Sequence, residues 1–142
     1  MDKSKPILVT GATGYIASWI IERLLNQGYS VHATVRDPSK KNKIQHLYDL
    51  ADKSSGQIQF FKADLLESGS FDEAMQGCEI VIHTASPFVV TNYKDAVKDI
   101  IEPAVKGTEN VLDSVNRTES VKRVVLTSSI ASTYGDAIEI QN

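Results

Sequence analysis

The nine residues at positions 9–17, VTGATGYIA, restrict the possible folds more than any other stretch of the chain. They follow an apolar run at residues 6–9 and open a segment in which Ile16, Ile20 and Leu24 recur at every fourth position. Apolar residues at that spacing lie on one face of a helix. The stretch is therefore predicted to form the end of a strand, a glycine-containing turn and the start of a helix.

The two glycines of this turn suit a phosphate group. Gly11 permits a tight turn, Gly14 lets a phosphate approach the backbone, and the small Ala17 allows the helix to pack against the strand. The unpaired N–H groups at the start of the helix form an anion site suited to a dinucleotide pyrophosphate. A plain turn is the alternative, since Gly-x-x-Gly-x-x-Ala differs from the Gly-x-Gly-x-x-Gly of many dehydrogenases. A Walker-type loop is disfavoured because no Lys-Ser or Lys-Thr follows Gly14.

Length, charge and cysteine content argue against several classes of protein. The 142 residues suit one domain with a hydrophobic core, and the net charge of −3 argues against general binding of nucleic acid or of anionic membranes. Cys78 is the single cysteine, which excludes an internal disulfide and favours a reducing, cytoplasmic compartment. The first strand begins too early to leave room for a signal peptide, and no apolar run approaches the ~20 residues needed to span a bilayer.

Strands and helices alternate along the chain, which is typical of a doubly wound α/β fold whose parallel sheet is covered on both faces. Strands are predicted at residues 5–10, 30–36, 57–63, 79–84 and 121–127, and helices at residues 15–26, 40–52, 70–75 and 97–115. Ser70 and Glu73 have the spacing of a capping box at the start of the third helix. In the fourth helix an apolar stripe from Val97 to Val115 continues across Pro103, which predicts one kinked helix or two abutting ones.

Ligands of open parallel sheets bind outside the carboxyl ends of the strands, and small, polar or charged residues follow all five predicted strands here. They are residues 11–17 after the first strand, Arg36 after the second, Asp64 after the third, residues 84–87 after the fourth, and Ser128 and Ser129 after the fifth. Turns alone favour Gly, Ser, Asp and Pro, so each signal is weak by itself. Together with the glycine turn they predict a dinucleotide site on a Rossmann-type sheet.

The end of the second strand indicates which dinucleotide is bound. NAD sites usually place a carboxylate ~20 residues beyond the glycine turn, where it holds the ribose 2′-hydroxyl. Val35 occupies roughly that place and Arg36 follows it, and a guanidinium can hold a 2′-phosphate through two hydrogen bonds. Three lysines between residues 40 and 43 add positive potential, although a solvated helix face also accounts for them. Asp37 is a competing candidate because it could itself bind a 2′-hydroxyl.

Three further residues, Ser129, His83 and Cys78, have side chains that could take part in catalysis or metal binding. Ser129 could exchange a hydrogen bond with a substrate oxygen beside a nicotinamide, or it could simply cap a turn. His83 is interpreted as a packed residue at a strand end, because no nucleophile or metal-ligand cluster accompanies it. Cys78 is interpreted as a small buried apolar residue. No metal site is predicted.

As a set, these stretches resemble the extended short-chain dehydrogenase/reductases. Within that family the chain is similar to the group of dihydroflavonol 4-reductase, cinnamoyl-CoA reductase and the yeast methylglyoxal/ketone reductases. The resemblance rests on VTGATGYIA at 9–17, ATVRDP at 33–38, ADL at 63–65, HTASP at 83–87 and VVLTSS at 124–129. These stretches are spread from residue 9 to residue 129, over nearly the whole length of the chain, and they follow the family's order.

The resemblance implies an NADPH-dependent reductase acting on a ketone or aldehyde. Arg36 and Lys43 match positions beside the adenosine 2′-phosphate, the pair Asp64–Leu65 matches positions beside the adenine, and residues 84–86 match the loop along the pyrophosphate and nicotinamide ribose. Ser129 matches the serine of the catalytic triad. The cofactor-binding residues expected are Gly11, Thr13, Gly14, Tyr15, Ile16, Arg36, Lys43, Asp64, Leu65, Thr84, Ala85 and Ser86.

The chain departs from the family in lacking a Tyr-x-x-x-Lys, which would supply the other two catalytic groups. It is therefore expected to be the cofactor-binding front part of a longer reductase, residues 1–142, without the last strands of the sheet and without a substrate domain. Two alternatives stay open: a non-catalytic dinucleotide-sensing module, and a nucleotide-sugar epimerase or hydroxysteroid dehydrogenase. The long helix is a candidate surface for a homodimer.

Overall fold

The computed structural model of the protein describes residues 2–87 and 94–129. Within these residues, five parallel strands form one sheet in the order β3-β2-β1-β4-β5. The strands are β1 Ile7–Thr10, β2 Ser30–Val35, β3 Gln57–Lys62, β4 Ile80–His83 and β5 Arg123–Leu126. Val9 of β1 lies beside Ala33 of β2 and Ile82 of β4, so β1 is the central strand. The predicted parallel sheet is confirmed, with each strand one to three residues shorter than expected.

Helices connect the strands. They are α1 Tyr15–Asn26, α2 Lys41–Asp52, α3 Asp72–Met75 and α4 Glu102–Arg117. The observed bounds of α1 are those predicted, and α2 begins one residue later than expected. The predicted α/β alternation is therefore confirmed over the described residues.

Alternate residues of the central strand face two separate hydrophobic cores. All four residues of β1 are buried. Ile7 and Val9 belong to a cluster with apolar residues of α1 and α2, such as Ile21. Leu8 points to the other side of the sheet, into a cluster that includes Val111 of α4. Because β1 is buried on both faces, its carboxyl end is held at the middle of the sheet edge where ligands bind in this fold.

The capping box predicted at the start of the third helix is wrong. The helix begins at Asp72 after Phe71, and no side chain caps its N-terminus. The Ser70 hydroxyl instead donates to the carbonyl oxygen of Asp64, at 2.7 Å, and accepts from the Asp64 N–H, at 3.1 Å. A serine hydroxyl can bond either to the first N–H groups of a helix or to the backbone of a loop. Ser70 bonds to the backbone of the loop after β3.

The predicted fourth helix consists of two abutting segments, which is one of the two arrangements expected from Pro103; the other was a single kinked helix. A π-helical turn, Val97–Ile101, runs directly into α4, and Pro103 lies in the first turn of α4, where its missing N–H costs no hydrogen bond. The predicted apolar stripe fails in its first half, because Val97 and Ile101 are each 53% exposed. The buried face of α4 consists of Gly107, Asn110, Val111 and Ser114. Val111 is the one residue of the expected stripe on this buried face, and the polar Asn110 and Ser114 are buried beside it.

Within residues 2–87 and 94–129, none of the helices has the length and apolar character that crossing a membrane requires.

Gly56 lies where the chain enters β3 across the end of α1, and its substitution by alanine should destabilise the fold. A Cβ there would clash with the carbonyl oxygen of Tyr29 and would lie 2.8 Å from the Cα of Leu25. Because both neighbours are backbone atoms, we expect Gly56→Ala to lower the free energy of unfolding by about 2–3 kcal/mol, measured by chemical denaturation. Gly77→Ala is the control: its φ of +75° is strained for alanine, but no atom lies within 4 Å, so it should cost only about 1 kcal/mol. Equal effects would contradict the clash.

Candidate functional site

A cleft of about 510 Å³ crosses the carboxyl ends of β1 to β4. That volume is within the usual range for small-ligand and cofactor sites. Nine of the residues predicted to bind a cofactor line it: Gly11, Thr13, Gly14, Arg36, Asp64, Leu65, Thr84, Ala85 and Ser86. Tyr15, Ile16, Lys43 and Ser129 are described residues outside its lining. The structure thus brings four separate stretches of the chain together into one site.

The strand order explains why the cleft lies where it does. From β1 the chain passes through α1 to β2 on one side, while β4 pairs with the other side of β1. The connections that leave β1 and β4 therefore diverge, and a crevice opens between them at the carboxyl edge.

Gly11 is required both by its own backbone conformation and by its neighbour. Its φ is +68°, a left-handed value that other residues rarely adopt. A Cβ at this position would lie 2.9 Å from the Cα of Ala85, so the loop after β4 could not come as close to the turn. The turn is closed by a hydrogen bond of 2.9 Å from the Gly14 N–H to the Gly11 carbonyl oxygen.

The start of α1 is open to the cleft. Gly14 is the N-cap of α1, and no side chain caps this N-terminus. A Cβ on Gly14 would lie 3.2 Å from the Gly11 carbonyl oxygen, with no other described atom beyond its chain neighbours within 4 Å. The first N–H groups of a helix lack intrahelical acceptors and carry a partial positive charge. This end of the cleft therefore fits a phosphate group, whereas a side chain on Gly14 would fill the space.

A buried polar network fixes the loop after β4 against β1. The Thr10 hydroxyl oxygen lies 3.2 Å from the Thr84 nitrogen and 3.1 Å from the Ala85 nitrogen, and it accepts a hydrogen bond from each N–H. The Thr84 hydroxyl donates to the Thr10 carbonyl oxygen at 2.6 Å. Thr10 is itself fully buried, so these bonds cannot be exchanged for bonds to water. The sequence reasoning missed Thr10, because only the three-dimensional structure shows which backbone groups it faces.

The same network sets the protonation of His83. Since both lone pairs of the Thr10 oxygen accept N–H groups, its proton must go to Nδ1 of His83, which lies 2.7 Å away. Nδ1 is therefore the acceptor and Nε2 carries the hydrogen. Burial lowers the pKa of His83, which agrees with a neutral ring. The interpretation of His83 as a packed histidine is confirmed by its burial, and its bond to Thr10 gives it a defined role in the loop.

Arg36 and Asp37, the two candidates for contact with the ribose 2′-position, have different surroundings at the end of β2. Arg36 is exposed and lines the cleft, and it belongs to none of the salt bridges among the described residues. Asp37 is outside the lining, and its carboxylate accepts from the Ser39 hydroxyl at 2.6 Å and the Ser39 N–H at 3.0 Å. These bonds, with a weaker contribution from Lys40, hold the pKa of Asp37 below its usual value. Asp37 is thus occupied in its own turn, and Arg36 is the charged group at this end of the cleft.

Beyond β3, a compact loop carries Asp64 and Leu65 to the cleft. An Asp64 carboxylate oxygen accepts from the Leu66 N–H at 2.9 Å, which closes a turn. Asn110 of α4 also bonds to this loop, a contact that the sequence reasoning did not anticipate. The helix pattern gave no signal for it, because a polar residue on the buried face interrupts the apolar stripe.

The serines after β5 lie beyond the cleft lining. The Thr127 N–H donates to the His83 carbonyl oxygen at 3.0 Å, which ties the end of β5 to the end of β4. Ser129 follows two residues later and is exposed. Its predicted catalytic role stays a prediction.

Cys78 is buried, and its thiol donates to the Ala74 carbonyl oxygen over 3.4 Å. Burial raises the pKa of the Cys78 thiol to about 12. The interpretation as a buried apolar residue is confirmed, since such a thiol stays protonated at neutral pH.

A doubly wound parallel sheet with a glycine turn after its first strand and a cleft at its carboxyl edge is of Rossmann type. Residues 7–142 match the family model described as the NAD dependent epimerase/dehydratase family. The chain belongs to this family, and the predicted membership of the extended short-chain dehydrogenase/reductases is confirmed.

Named relatives within the family are reductases. A cinnamoyl-CoA reductase of Medicago truncatula is 55% identical over 126 residues, and a dihydroflavonol 4-reductase of Solanum lycopersicum is 45% identical over 127 residues; each match covers 89% of this chain. The crystal structure of Gre2 from Candida albicans in complex with NADPH superposes with a TM-score of 0.75 at 33% identity over 93% of this chain. This chain spans 38%, 33% and 40%, respectively, of the lengths of these proteins.

The neutral His83 predicts how stability depends on pH. Its folded pKa is below the unfolded value of about 6.5, so on acidification the unfolded state binds a proton that the folded state does not. We expect this histidine to lower the free energy of unfolding as the pH falls below that value, by up to about 1.4 kcal/mol per pH unit, and to contribute no slope above it. His83→Asn, which keeps an acceptor for Thr10, should reduce this slope in denaturation curves recorded between pH 7 and pH 5.

Val81→Ala is the matched control for that experiment. Val81 is fully buried on the same strand, so its truncation destabilises the fold while leaving His83 in place. It should lower the free energy of unfolding by a similar amount at each pH. An unchanged slope in His83→Asn would contradict the assignment.

Proposed function

We propose that the protein is an NADPH-dependent reductase that converts a ketone or aldehyde to an alcohol, and that residues 1–142 form its cofactor-binding part. The observation that carries the proposal is Arg36, a cation lining the cleft at the end of β2 while Asp37 is bonded within its own turn. The names of the relatives support it, since they are reductases and the Gre2 structure contains NADPH. These names favour a reductase over an epimerase or a hydroxysteroid dehydrogenase.

The residues of the cleft would divide the cofactor among them. The open N-terminus of α1, with Gly11, Thr13 and Gly14, would hold the pyrophosphate. Arg36 would pair with the 2′-phosphate, and Lys43 in the first turn of α2 would add positive potential. Both cations suit a phosphate, and the first turn of α2 contains no acidic residue to oppose them.

The remaining cleft residues would hold the two ends of the cofactor. The loop carrying Asp64 and Leu65 would lie against the adenine, and the loop at residues 84–86 would lie along the nicotinamide ribose. Tyr15 and Ile16 follow the glycine turn and supply two of the first N–H groups of α1. The loop at residues 84–86 is kept in place by Thr10, because the N–H groups of Thr84 and Ala85 both bond to the buried Thr10 hydroxyl.

When bound, a reduced nicotinamide supplies a hydride to the substrate carbonyl. The Ser129 hydroxyl would donate a hydrogen bond to the carbonyl oxygen, an interaction that strengthens as negative charge develops there. A tyrosine outside these 142 residues would deliver the proton, as the family resemblance implies. A sensing module that binds the dinucleotide without reacting would need the cleft and would have no use for Ser129, so the effect of Ser129→Ala on turnover separates these functions.

The proposed partners are few. The substrate would be a small carbonyl compound, and neither nucleic acid nor a membrane surface is proposed as a partner. A homodimer through the π-helical turn and α4 is proposed, since Val97, Ile101 and Val105 there are at least half exposed. A cytoplasmic location stays a prediction.

Replacing Arg36 should separate NADPH from NADH. We expect Arg36→Ala to weaken NADPH binding by about 1.5–3 kcal/mol, because a charge-assisted hydrogen bond to the 2′-phosphate is lost, and to leave NADH binding nearly unchanged. Titration of both cofactors against the full-length variant measures this difference. Lys40→Ala is the control, since Lys40 pairs with Asp37 at 3.5 Å outside the cleft lining and should affect neither affinity. Equal weakening of both cofactors by Arg36→Ala would refute the assignment.

The two serines after β5 should differ in their effect on turnover. Ser129→Ala should raise the barrier by about 2–4 kcal/mol, seen in kcat, while leaving the affinity for NADPH nearly intact, because its hydroxyl acts mainly in the transition state. Ser128→Ala should be much milder, because the family resemblance assigns the catalytic role to Ser129, the second serine of the pair. Steady-state kinetics of the full-length enzyme test both. The reverse order of effects would assign the role to Ser128.

A further inference from the structure

Asn110 connects α4 to the loop at residues 64–69, which forms one wall of the cleft. The Asn110 amide nitrogen donates to the carbonyl oxygen of Glu67 at 2.7 Å and to that of Leu65 at 3.1 Å. A third carbonyl, that of Asp64, lies 3.4 Å from the same nitrogen. On the other side, the amide oxygen accepts from the Gly69 N–H at 2.9 Å. One side chain thus satisfies groups at both ends of the loop.

The orientation of this amide is fixed by its partners. Exchanging the oxygen and nitrogen of Asn110 would place an NH₂ group against the Gly69 N–H and an oxygen against the carbonyl oxygens of Leu65 and Glu67. Such an arrangement loses every hydrogen bond that the amide makes. Asn110 is only 8% exposed, so water could not replace them. Position 110 therefore requires a side chain that carries both a hydrogen-bond donor and a hydrogen-bond acceptor.

A second residue of α4 shapes the same loop by being small. A Cβ on Gly107 would lie 3.0 Å from the Cβ of Leu65 and 3.3 Å from its Cδ2. Leu65 therefore packs against the bare backbone of the helix. Gly107 precedes Asn110 by three residues, so the two lie on one face, and both are buried.

The loop that these residues hold carries Asp64, Leu65 and Leu66 to the cleft, whereas Asn110 and Gly107 are outside its lining. We propose that Asn110 is a positioning residue for the adenosine end of the cofactor, acting through the loop at residues 64–69, and that Gly107 permits the same placement. This inference rests on the proposed function, because it assumes that the adenosine lies against this loop. It adds a determinant of cofactor binding on a helix that does not border the cleft.

The test compares two probes in the full-length protein. Adenosine 2′,5′-bisphosphate reports the adenosine end, and reduced nicotinamide mononucleotide reports the other end. We expect Asn110→Ala to weaken binding of the bisphosphate and of NADPH by a similar factor, about tenfold, because the loop loses its hydrogen bonds to α4. Binding of the mononucleotide should be unchanged. Hydrogen exchange at the Gly69 amide should become faster, since its acceptor is removed.

Two further variants separate positioning from stability. Val111→Ala removes buried volume from the neighbouring position of α4 without touching the loop's hydrogen bonds, so it should destabilise the fold and leave the affinity for the bisphosphate intact. Gly107→Ala keeps all the hydrogen bonds of Asn110 but pushes Leu65, and it should weaken the bisphosphate and spare the mononucleotide. It therefore tests the proposal even where Asn110→Ala does not fold.

The outcomes are distinct. Bisphosphate affinity unchanged in Gly107→Ala and in folded Asn110→Ala overturns the inference while leaving the cofactor proposal intact. An equal loss of bisphosphate affinity in Val111→Ala would also overturn the inference, because it would mean that the general stability of the fold sets this affinity. If the unmodified protein binds neither NADPH nor the bisphosphate, the proposed function fails and this inference fails with it.

Discussion

The approach of the Gly11 turn to the backbone of Ala85 is the contact on which the rest of the site depends. It requires a residue without a side chain at position 11, and it is held by the buried Thr10 hydroxyl, which accepts two N–H groups of the neighbouring loop. Because Thr10 gives its own proton to His83, the network is complete only while His83 is neutral. The position of the loop after β4 thus depends on the hydrogen bonds of Thr10, and these depend on the protonation state of His83.

Much of the fold could be predicted from the sequence, because its signals are local. The apolar period of α1 gave that helix its observed bounds, and the alternation of strands and helices gave the parallel sheet. The predictions failed where the tertiary structure selects among several possible partners of a residue. Ser70 bonds to Asp64 rather than capping a helix, and Asn110 satisfies a loop more than 40 residues away. A sequence pattern records what a residue could bond to, and only the fold selects the partner.

The same distinction applies to the candidate site. Nine predicted cofactor residues meet in one cleft, because the carboxyl ends of parallel strands share one edge of the sheet. The sequence favours Arg36 over Asp37 as the residue beside the 2′-phosphate but leaves Asp37 as a competitor, since the two are neighbours after β2. The structure adds that the Asp37 carboxylate accepts two hydrogen bonds from Ser39, which favours Arg36. Lys43 and Ser129 match family positions, but they lie outside the cleft lining, so their roles rest on the resemblance alone.

The pairing of β1 with β4 also bears on how the chain reaches this structure. Thr10 and His83 are 73 residues apart, and the intervening chain contains two complete strands and three helices. Contacts of such long range close large loops and form slowly, whereas the local contacts of α1 form early. During synthesis, the glycine turn therefore emerges well before the residues that complete its surroundings. Until β4 joins the sheet, one edge of the central strand is left without its partner, and at this stage the chain is most exposed to mispairing.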